Sequence, residues 1–169
     1  SIFAVAGHTC RMNLSESPPE RCADPFPHTV IDGFIPQDEP LLLNLRTSLP
    51  SYAWMQKAKA RIFVNSKHEH LKAGLSSVAK FPPAFRRLAS LLHSDLMVDT
   101  ISMLMGIPNL CFDPMMTGAG IHVMAPGARL GIHCDENRYN GMYRRVNLIL
   151  YLTPEWKPEW DGAIELWPN

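Results

Sequence analysis

The residue pattern changes at Gly106, and this change limits the folds open to the chain. Before it, Leu41, Leu45 and Leu49 recur every four residues, a spacing that places them on one face of a helix. After it, short segments rich in β-forming residues alternate with Gly, Pro and Asn, which is typical of strands joined by turns. Helices followed by strands indicate an α+β fold, with an all-β core closed by N-terminal helices.

Two helical regions are predicted before Gly106. The first begins after Pro36, carries acidic residues suited to a first turn, and ends at Pro50. The second begins at Pro82, and Ser94 can cap a fresh helix inside it. Gly106 ends that helix, because glycine readily adopts the left-handed conformation that closes many helices.

The remaining segments are assigned by their residue types. Residues 28–34 are rich in β-branched side chains and predict a short strand. Residues 51–80 carry mixed charge with weak periodicity, which predicts a loop with some helix. The strands predicted after Gly106 are 121–124, 129–134, 146–152 and 164–167. The chain therefore divides into an irregular arm at 1–24, a mostly helical support region at 25–105 and a β core at 106–169.

Charge and composition limit the classes of partner that the protein is expected to bind. Sixteen basic residues balance sixteen acidic ones, so no net field favours nucleic acid or an anionic membrane. No apolar run approaches the roughly 20 residues of a membrane helix. The four cysteines form no C-x-x-C pair, which favours reduced thiols and a cytoplasmic protein. The missing initiator Met suggests a chain cut from a longer one.

His133 and Asp135 carry the chemistry predicted for the β core. Residues two apart on a strand share a face, so the imidazole and the carboxylate can meet one metal ion while Cys134 points elsewhere. With a second imidazole from a distant strand, they form the facial triad of non-haem Fe(II) oxygenases. The same H-x-D pattern also arises as a solvated His and Asp at a strand end, so the surrounding residues decide between the two interpretations.

Those surroundings match a known family in order and spacing. The residues concerned are Gly127, Leu130, His133, Asp135, Asn137, Arg144 to Asn147, Tyr151-Leu152-Thr153, Trp156 and Gly162 to Trp167. This stretch resembles the prolyl-4-hydroxylase-like group of Fe(II)- and 2-oxoglutarate-dependent oxygenases. A looser similarity at residues 25–34 and 106–120 extends the resemblance over residues 25–169.

The resemblance implies a fold and an activity. The fold is a double-stranded β-helix, or jelly roll, of which this chain supplies an incomplete part, with the N-terminal helices packed on it. Fe(II) is bound by His133, Asp135 and a distal histidine, and 2-oxoglutarate and O₂ are co-substrates for hydroxylation of a C–H bond. Tyr151 stands where relatives hold the distal carboxylate of 2-oxoglutarate, and Asn147 shares its strand face as a second cofactor-binding residue. Ascorbate is expected to restore oxidised iron, and the substrate is a peptide, with proline first by analogy, or a small molecule.

The sequence departs from the family pattern at three places. Ala163 replaces the second glycine before the Glu-Leu-Trp strand, and Met124 and Leu130 stand where relatives carry an aromatic residue. No histidine follows Asp135. The third iron ligand and the basic residue that anchors 2-oxoglutarate are therefore expected beyond Asn169, and the isolated chain is expected to be inactive.

Two other functions remain open. The barrel can be a binding module that kept H-x-D but lost activity, or a cupin-type metalloenzyme that works without 2-oxoglutarate. Asp135 argues against the second, because the metal ligands of such enzymes are typically rich in histidine. Outside the core motif, the spacing of His68 and His70 predicts an exposed face rather than a metal site, His122 is expected to be structural, and Arg144 structural or exposed.

Overall fold

The computed structural model describes residues 2–5, 8–11, 21–64, 68–117, 119–135, 138–139 and 141–168. Its helices are α1 (Pro40–Thr47), α2 (Tyr52–Lys57), α3 (Pro83–Leu92) and α4 (Asp95–Met105), with 3₁₀ turns at Val78–Lys80 and Pro158–Trp160. Its strands are β1 (Ile2–Val5), β2 (His8–Arg11), β3 (Arg61–Phe63), β4 (Glu69–Leu75), β5 (Ile121–Leu130), β6 (Arg138–Tyr139) and β7 (Met142–Tyr143). The mixture of helices with antiparallel sheet confirms the α+β prediction.

The chain forms two compact units. The first contains Ser1–Thr47, Leu91–Leu110 and Ile149–Asn169, and the second contains Ser48–Ser90 and Cys111–Leu148. Within the described residues, no single helix is both long and apolar enough to cross a membrane, although consecutive α3 and α4 reach that length and composition as a bent pair.

In the first unit, α1 confirms the first predicted helix but is shorter than expected. Leu41 and Leu45 are buried, as their spacing predicts. The helix ends at Thr47, whose hydroxyl donates to the carbonyl of Leu43 at 2.9 Å. Leu49 lies beyond this end and is 51% exposed, so it does not continue the buried stripe.

The ends of α4 follow the local signals in the sequence. Ser94 Oγ accepts the backbone N–H of Met97 at 3.3 Å, which satisfies one of the free donors at the helix start. At the other end, Gly106 has a φ of +64° and its N–H bonds back to Met103 and Ser102. Both predicted caps of this helix are confirmed.

In the second unit, β3, β4 and β5 form a three-stranded antiparallel sheet in that order. The pairs Phe63↔Lys72 and Lys72↔Met124 lie on one face. The opposite face is apolar and includes Ala73, Leu75 and Ile121, all buried. Strands β3 and β4 fall within residues 51–80, so the loop prediction for that region was wrong at these strands.

The β4–β5 ladder contains an irregularity. His70 pairs with Arg129, but Lys72 pairs with Met124, so the intervening residues of β5 bulge out. Pro126 in this bulge has no N–H to donate, and Gly127 adopts a φ of +76°, which glycine tolerates without strain. The two strands predicted at 121–124 and 129–134 are therefore one bulged strand that ends at Leu130.

Three predicted strands do not form in the described part of the chain. Residues 28–34 contribute only an isolated bridge between Cys22 and His28, and residues 146–152 and 164–167 pair with no strand among the described residues. Extended backbone becomes a strand only when a neighbour satisfies its N–H and C=O groups. Conversely, β1 and β2 of the N-terminal arm pair with each other in antiparallel fashion, which was not predicted, and residues 1, 6–7 and 12–20 of the arm lie outside the described residues.

Candidate metal site

His133 and Asp135 follow directly after the β4–β5 ladder. The Gly131 N–H donates to the His68 carbonyl at 2.7 Å, which extends the pairing one step beyond Leu130. Two residues later the side chains converge, and His133 Nε2 lies 3.6 Å from Asp135 Oδ1. The structure thus brings together the two residues that the H-x-D spacing predicts, although they lie in unpaired chain rather than on a strand.

The orientation of the His133 ring is set by its own backbone. Nδ1 lies 2.7 Å from the carbonyl oxygen of Gly131, and a carbonyl can only accept, so Nδ1 must carry the proton. In a neutral imidazole the other nitrogen then has a free lone pair. Nε2 is therefore the nitrogen available to a metal ion, and a hydrogen bond from the opposite nitrogen is the usual support for a histidine ligand.

Asp135 is held by its other oxygen. Oδ2 accepts the Asn147 amide Nδ2 at 3.1 Å and lies 3.4 Å from Arg144 Nη1. Oδ1 is the oxygen that faces His133. Each residue of the pair thus has one atom fixed by the protein and one atom free, and the free atoms face each other.

Arg144 links this carboxylate to a turn at residues 113–117. Its Nη2 donates to the carbonyl of Thr117 at 2.7 Å. In the same turn, Asp113 accepts the backbone N–H groups of Met115 at 2.9 Å and of Thr117 at 2.6 Å. Desolvation alone would raise the pKa of Asp113, but these two bonds, the Thr117 hydroxyl and the Arg144 charge together lower it. Asp113 is therefore a carboxylate that belongs to the turn and not to the pair formed by His133 and Asp135.

The His133 and Asp135 pair fits a divalent metal ion. Bonds from such an ion to imidazole nitrogen or carboxylate oxygen are about 2.0–2.2 Å long. The combined length of two such bonds exceeds the 3.6 Å between Nε2 and Oδ1. One ion can therefore bind both atoms. The two side chains are 34% and 42% exposed, which leaves open coordination positions. Within the described residues, no group of three His, Cys, Asp or Glu side chains could hold an ion.

The two residues predicted to bind the cofactor have different surroundings. Asn147 contacts Asp135 and so supports the carboxylate. The sequence predicted only that Asn147 would bind the cofactor. Tyr151 is 62% exposed in a segment that the first unit contains. In that segment the carbonyl of Leu152 accepts Arg46 Nε at 2.9 Å. The assignment of Tyr151 and Asn147 to 2-oxoglutarate stays a prediction.

His122 has an unexpected electrostatic neighbourhood. It lies opposite Gly74 in the ladder, and a Cβ added to Gly74 would lie 3.5 Å from the His122 ring, so the ring packs over bare backbone. Desolvation by these neighbours, followed by the Lys72 charge, lowers the pKa of His122, while Glu69 and Asp135 act in the opposite direction. The ring keeps a solvent-exposed side, which moderates the effect of desolvation.

Residues His68, Glu69 and His70 are on the whole less exposed than their composition predicts. Glu69 and His70 belong to β4 and are half-buried, and Glu69 pairs with Lys72 at 2.6 Å. Only His68 is exposed as predicted, and its ring centroid lies 6.3 Å from that of His133.

Arg144 and Asp113 contribute to the surroundings of Asp135, a role that the sequence analysis did not predict for either residue. The available signal was the spacing of Asp113 and Thr117, because an aspartate readily caps the N–H groups of the residues that follow it in a turn. Nothing local pointed to the contact between Arg144 and Thr117, which are 27 positions apart.

Comparison with known proteins supports the oxygenase interpretation. Residues 119–169 match the family model described as 2OG-Fe(II) oxygenase superfamily. The match contains His133, Asp135, Arg144, Asn147 and Tyr151, and it supports placing the chain in that superfamily and an oxygenase function with Fe(II), 2-oxoglutarate and O₂. No curated protein and no solved structure matches the chain.

Proposed function

We propose that the protein is an Fe(II)- and 2-oxoglutarate-dependent oxygenase of the prolyl-4-hydroxylase-like group, which hydroxylates a C–H bond of a prolyl or other amino-acid residue. One observation carries the proposal. Nε2 of His133 and Oδ1 of Asp135 face each other at 3.6 Å, each fixed from its far side, within the stretch that matches the oxygenase superfamily.

In this proposal the chain's own residues bind the iron and orient the ligand atoms. His133 contributes Nε2 because Gly131 holds its Nδ1–H, and Asp135 contributes Oδ1 because Asn147 and Arg144 hold its Oδ2. The resemblance assigns the third ligand to a distal histidine in a completed jelly roll. Bound iron supplies oxygen activation, by which 2-oxoglutarate, O₂ and a C–H bond become succinate, CO₂ and a C–OH group.

Tyr151 is the main residue of the proposed cofactor site, and Asn147 is a second candidate for it, although its contact with Asp135 also gives it a place at the metal ligand. The phenol of Tyr151 donates to the distal carboxylate of 2-oxoglutarate, a hydrogen bond to a charged acceptor. Ascorbate would be the reductant that returns oxidised iron to Fe(II). The balance of acidic and basic residues favours a peptide or small-molecule substrate over nucleic acid or a membrane surface. The absence of a C-x-x-C pair among the four cysteines favours the cytoplasm.

The first test is metal binding by the full chain. Mn(II), a redox-stable substitute for Fe(II), is titrated and free Mn(II) is measured by electron paramagnetic resonance. His133→Ala and Asp135→Ala should each abolish binding, because each removes one of the facing atoms. Cys134→Ser is the matched control, since Cys134 lies between the two ligands and is expected to bind no metal. Wild-type affinity in either alanine variant would exclude the site.

The second test separates the proposed activity from the alternatives. Succinate release is measured in a protein that includes the distal histidine assigned by the resemblance, with Fe(II), ascorbate and O₂, with and without 2-oxoglutarate, over a panel of prolyl peptides and free amino acids. Succinate release that His133→Ala abolishes supports the oxygenase. Substrate oxidation without 2-oxoglutarate would favour the cupin-type metalloenzyme, and metal binding without any turnover would favour a binding module.

A further inference from the structure

We propose that Arg144 is a positioning residue for the metal site, which fixes the Asp135 carboxylate so that Oδ1 faces the ion. This inference rests on the proposed function, because it takes Asp135 as a metal ligand. It assigns a role to Arg144, which the sequence context predicts only to be structural or exposed.

The guanidinium spans two fixed points. Nη2 donates to the Thr117 carbonyl at 2.7 Å, and Nη1 lies 3.4 Å from Asp135 Oδ2. Because the guanidinium is planar and rigid, the short bond at Nη2 also fixes the direction in which Nη1 points. A lysine has a single ammonium on a flexible stem and cannot hold both points in this way.

The Thr117 carbonyl that accepts the hydrogen bond from Arg144 is itself held in place. Asp113 bonds the backbone N–H groups of Met115 and Thr117, which fixes the turn whose carbonyl Arg144 uses. The side chain of Arg144 is only 29% exposed, so solvent competes less for its donors than at an open surface. The turn and the metal carboxylate are thus connected through one side chain.

Arg144 and Asn147 contribute different properties at Oδ2. Asn147 offers a neutral amide at 3.1 Å, whereas Arg144 offers a positive charge. With both in place, Oδ2 is occupied and Oδ1 is left for an ion. Without Arg144, the carboxylate is held by a single neutral bond and can rotate, which exchanges its two oxygens and disturbs the 3.6 Å approach to His133.

The test compares Mn(II) affinity of the full chain at one pH in four proteins: wild type, Arg144→Gln, Arg144→Lys and Arg145→Gln. Loss of an outer-shell partner typically weakens metal binding by about 10- to 100-fold, and we expect about tenfold for Arg144→Gln. Arg144→Lys should recover only part of this loss. Arg145→Gln is the matched control, since it removes an equal charge at an exposed neighbour for which the described structure shows no bond to Asp135.

A second variant separates positioning from general loosening of the turn. Asp113→Asn weakens the acceptor that holds the turn but leaves both contacts of Arg144 in place. Its metal-free unfolding temperature should fall, while its Mn(II) affinity should stay within about threefold of wild type, less than the typical loss of an outer-shell partner. An equal loss of affinity in Asp113→Asn and Arg144→Gln would overturn the positioning role.

Failure of this inference is distinguishable from failure of the proposed function. His133→Ala and Asp135→Ala are measured in the same series. If they bind Mn(II) like wild type, there is no metal site at this pair. If they lose binding while Arg144→Gln matches Arg145→Gln, the metal site stands and Arg144 does not position it.

Discussion

Asn147 donates its side-chain amide to Oδ2 of Asp135 at 3.1 Å, twelve positions away in the chain. The bond joins a residue predicted to bind 2-oxoglutarate to a residue predicted to bind iron. It leaves Asp135 Oδ1, the oxygen nearer to His133, free for an ion. Asn147 can therefore support the metal ligand Asp135 or bind 2-oxoglutarate. The two roles predict different effects of substitution on Mn(II) affinity and on the KM for 2-oxoglutarate.

We expect Asn147→Ala to weaken Mn(II) binding by about tenfold, because outer-shell partners of metal ligands contribute to affinity on that scale. The KM for 2-oxoglutarate should change little. Leu148→Ala, at the exposed next residue, is the control. The reverse pattern, with unchanged Mn(II) affinity and a raised KM, would assign Asn147 to the cofactor pocket instead.

Tyr151→Phe removes one hydroxyl and should raise the KM for 2-oxoglutarate about tenfold or more, since a hydrogen bond to a charged group contributes about 1.5–3 kcal/mol. Affinity for Mn(II) should be unchanged. Tyr143→Phe serves as the control because Tyr143 is similarly exposed and its ring stacks with Arg138. An unaltered KM in Tyr151→Phe would remove Tyr151 from the cofactor site.

The cap of α4 provides a stability test that is independent of the metal. Ser94→Ala removes the acceptor for the Met97 N–H and should destabilise the fold by about 1 kcal/mol, as loss of an N-cap typically does. Ser90→Ala is the matched control. Ser90 is an exposed residue inside α3 that donates to Arg86, and alanine has the higher helix propensity there. Urea unfolding should therefore separate the two variants, and equal midpoints would contradict the capping role.

The parts of the fold that could be predicted are those with local causes. Ser94 and Gly106 act within one helical turn, so the limits of α4 follow from the neighbouring residues. Strand β4 has no such cause. It becomes a strand by pairing with β5 far along the chain, as in Leu75↔Ile121. Non-local pairing of this kind is invisible to a local pattern.

The same distinction applies to the metal site. The separation of two residues predicts the approach of His133 to Asp135, although the two residues lie in unpaired chain and not on the strand that the prediction assumed. The contacts that orient Asp135 come from Arg144 and Asn147, which are nine and twelve positions away in the chain and whose contacts the H-x-D spacing does not predict. The anchor of Arg144 on Thr117 depends on the tertiary fold, so residue types alone cannot reveal it.

The lowered pKa of His122 predicts a pH dependence of stability. Its ordinary value is 6.5, and desolvation over Gly74 together with the Lys72 charge moves it downward in the folded protein. Between the lowered value and 6.5 the unfolded chain binds more protons than the folded one, so acid favours unfolding. The contribution of His122 is complete above pH 6.5 and is lost as the pH falls through its folded pKa.

We therefore expect wild-type protein to unfold at a lower temperature at pH 5.5 than at pH 7.5, and His122→Asn to reduce this difference. Lys72→Met should reduce it as well, because removal of a neighbouring positive charge lets the pKa of His122 rise toward its ordinary value. Glu69, which Lys72 now pairs at 2.6 Å, would act in the same direction once the Lys72 charge no longer offsets its own. The two substitutions should not add in a double variant, since both operate through the protonation of one ring. A pH difference that persists unchanged in His122→Asn would show that other groups cause it, and an additive double variant would show that Lys72 acts separately from His122.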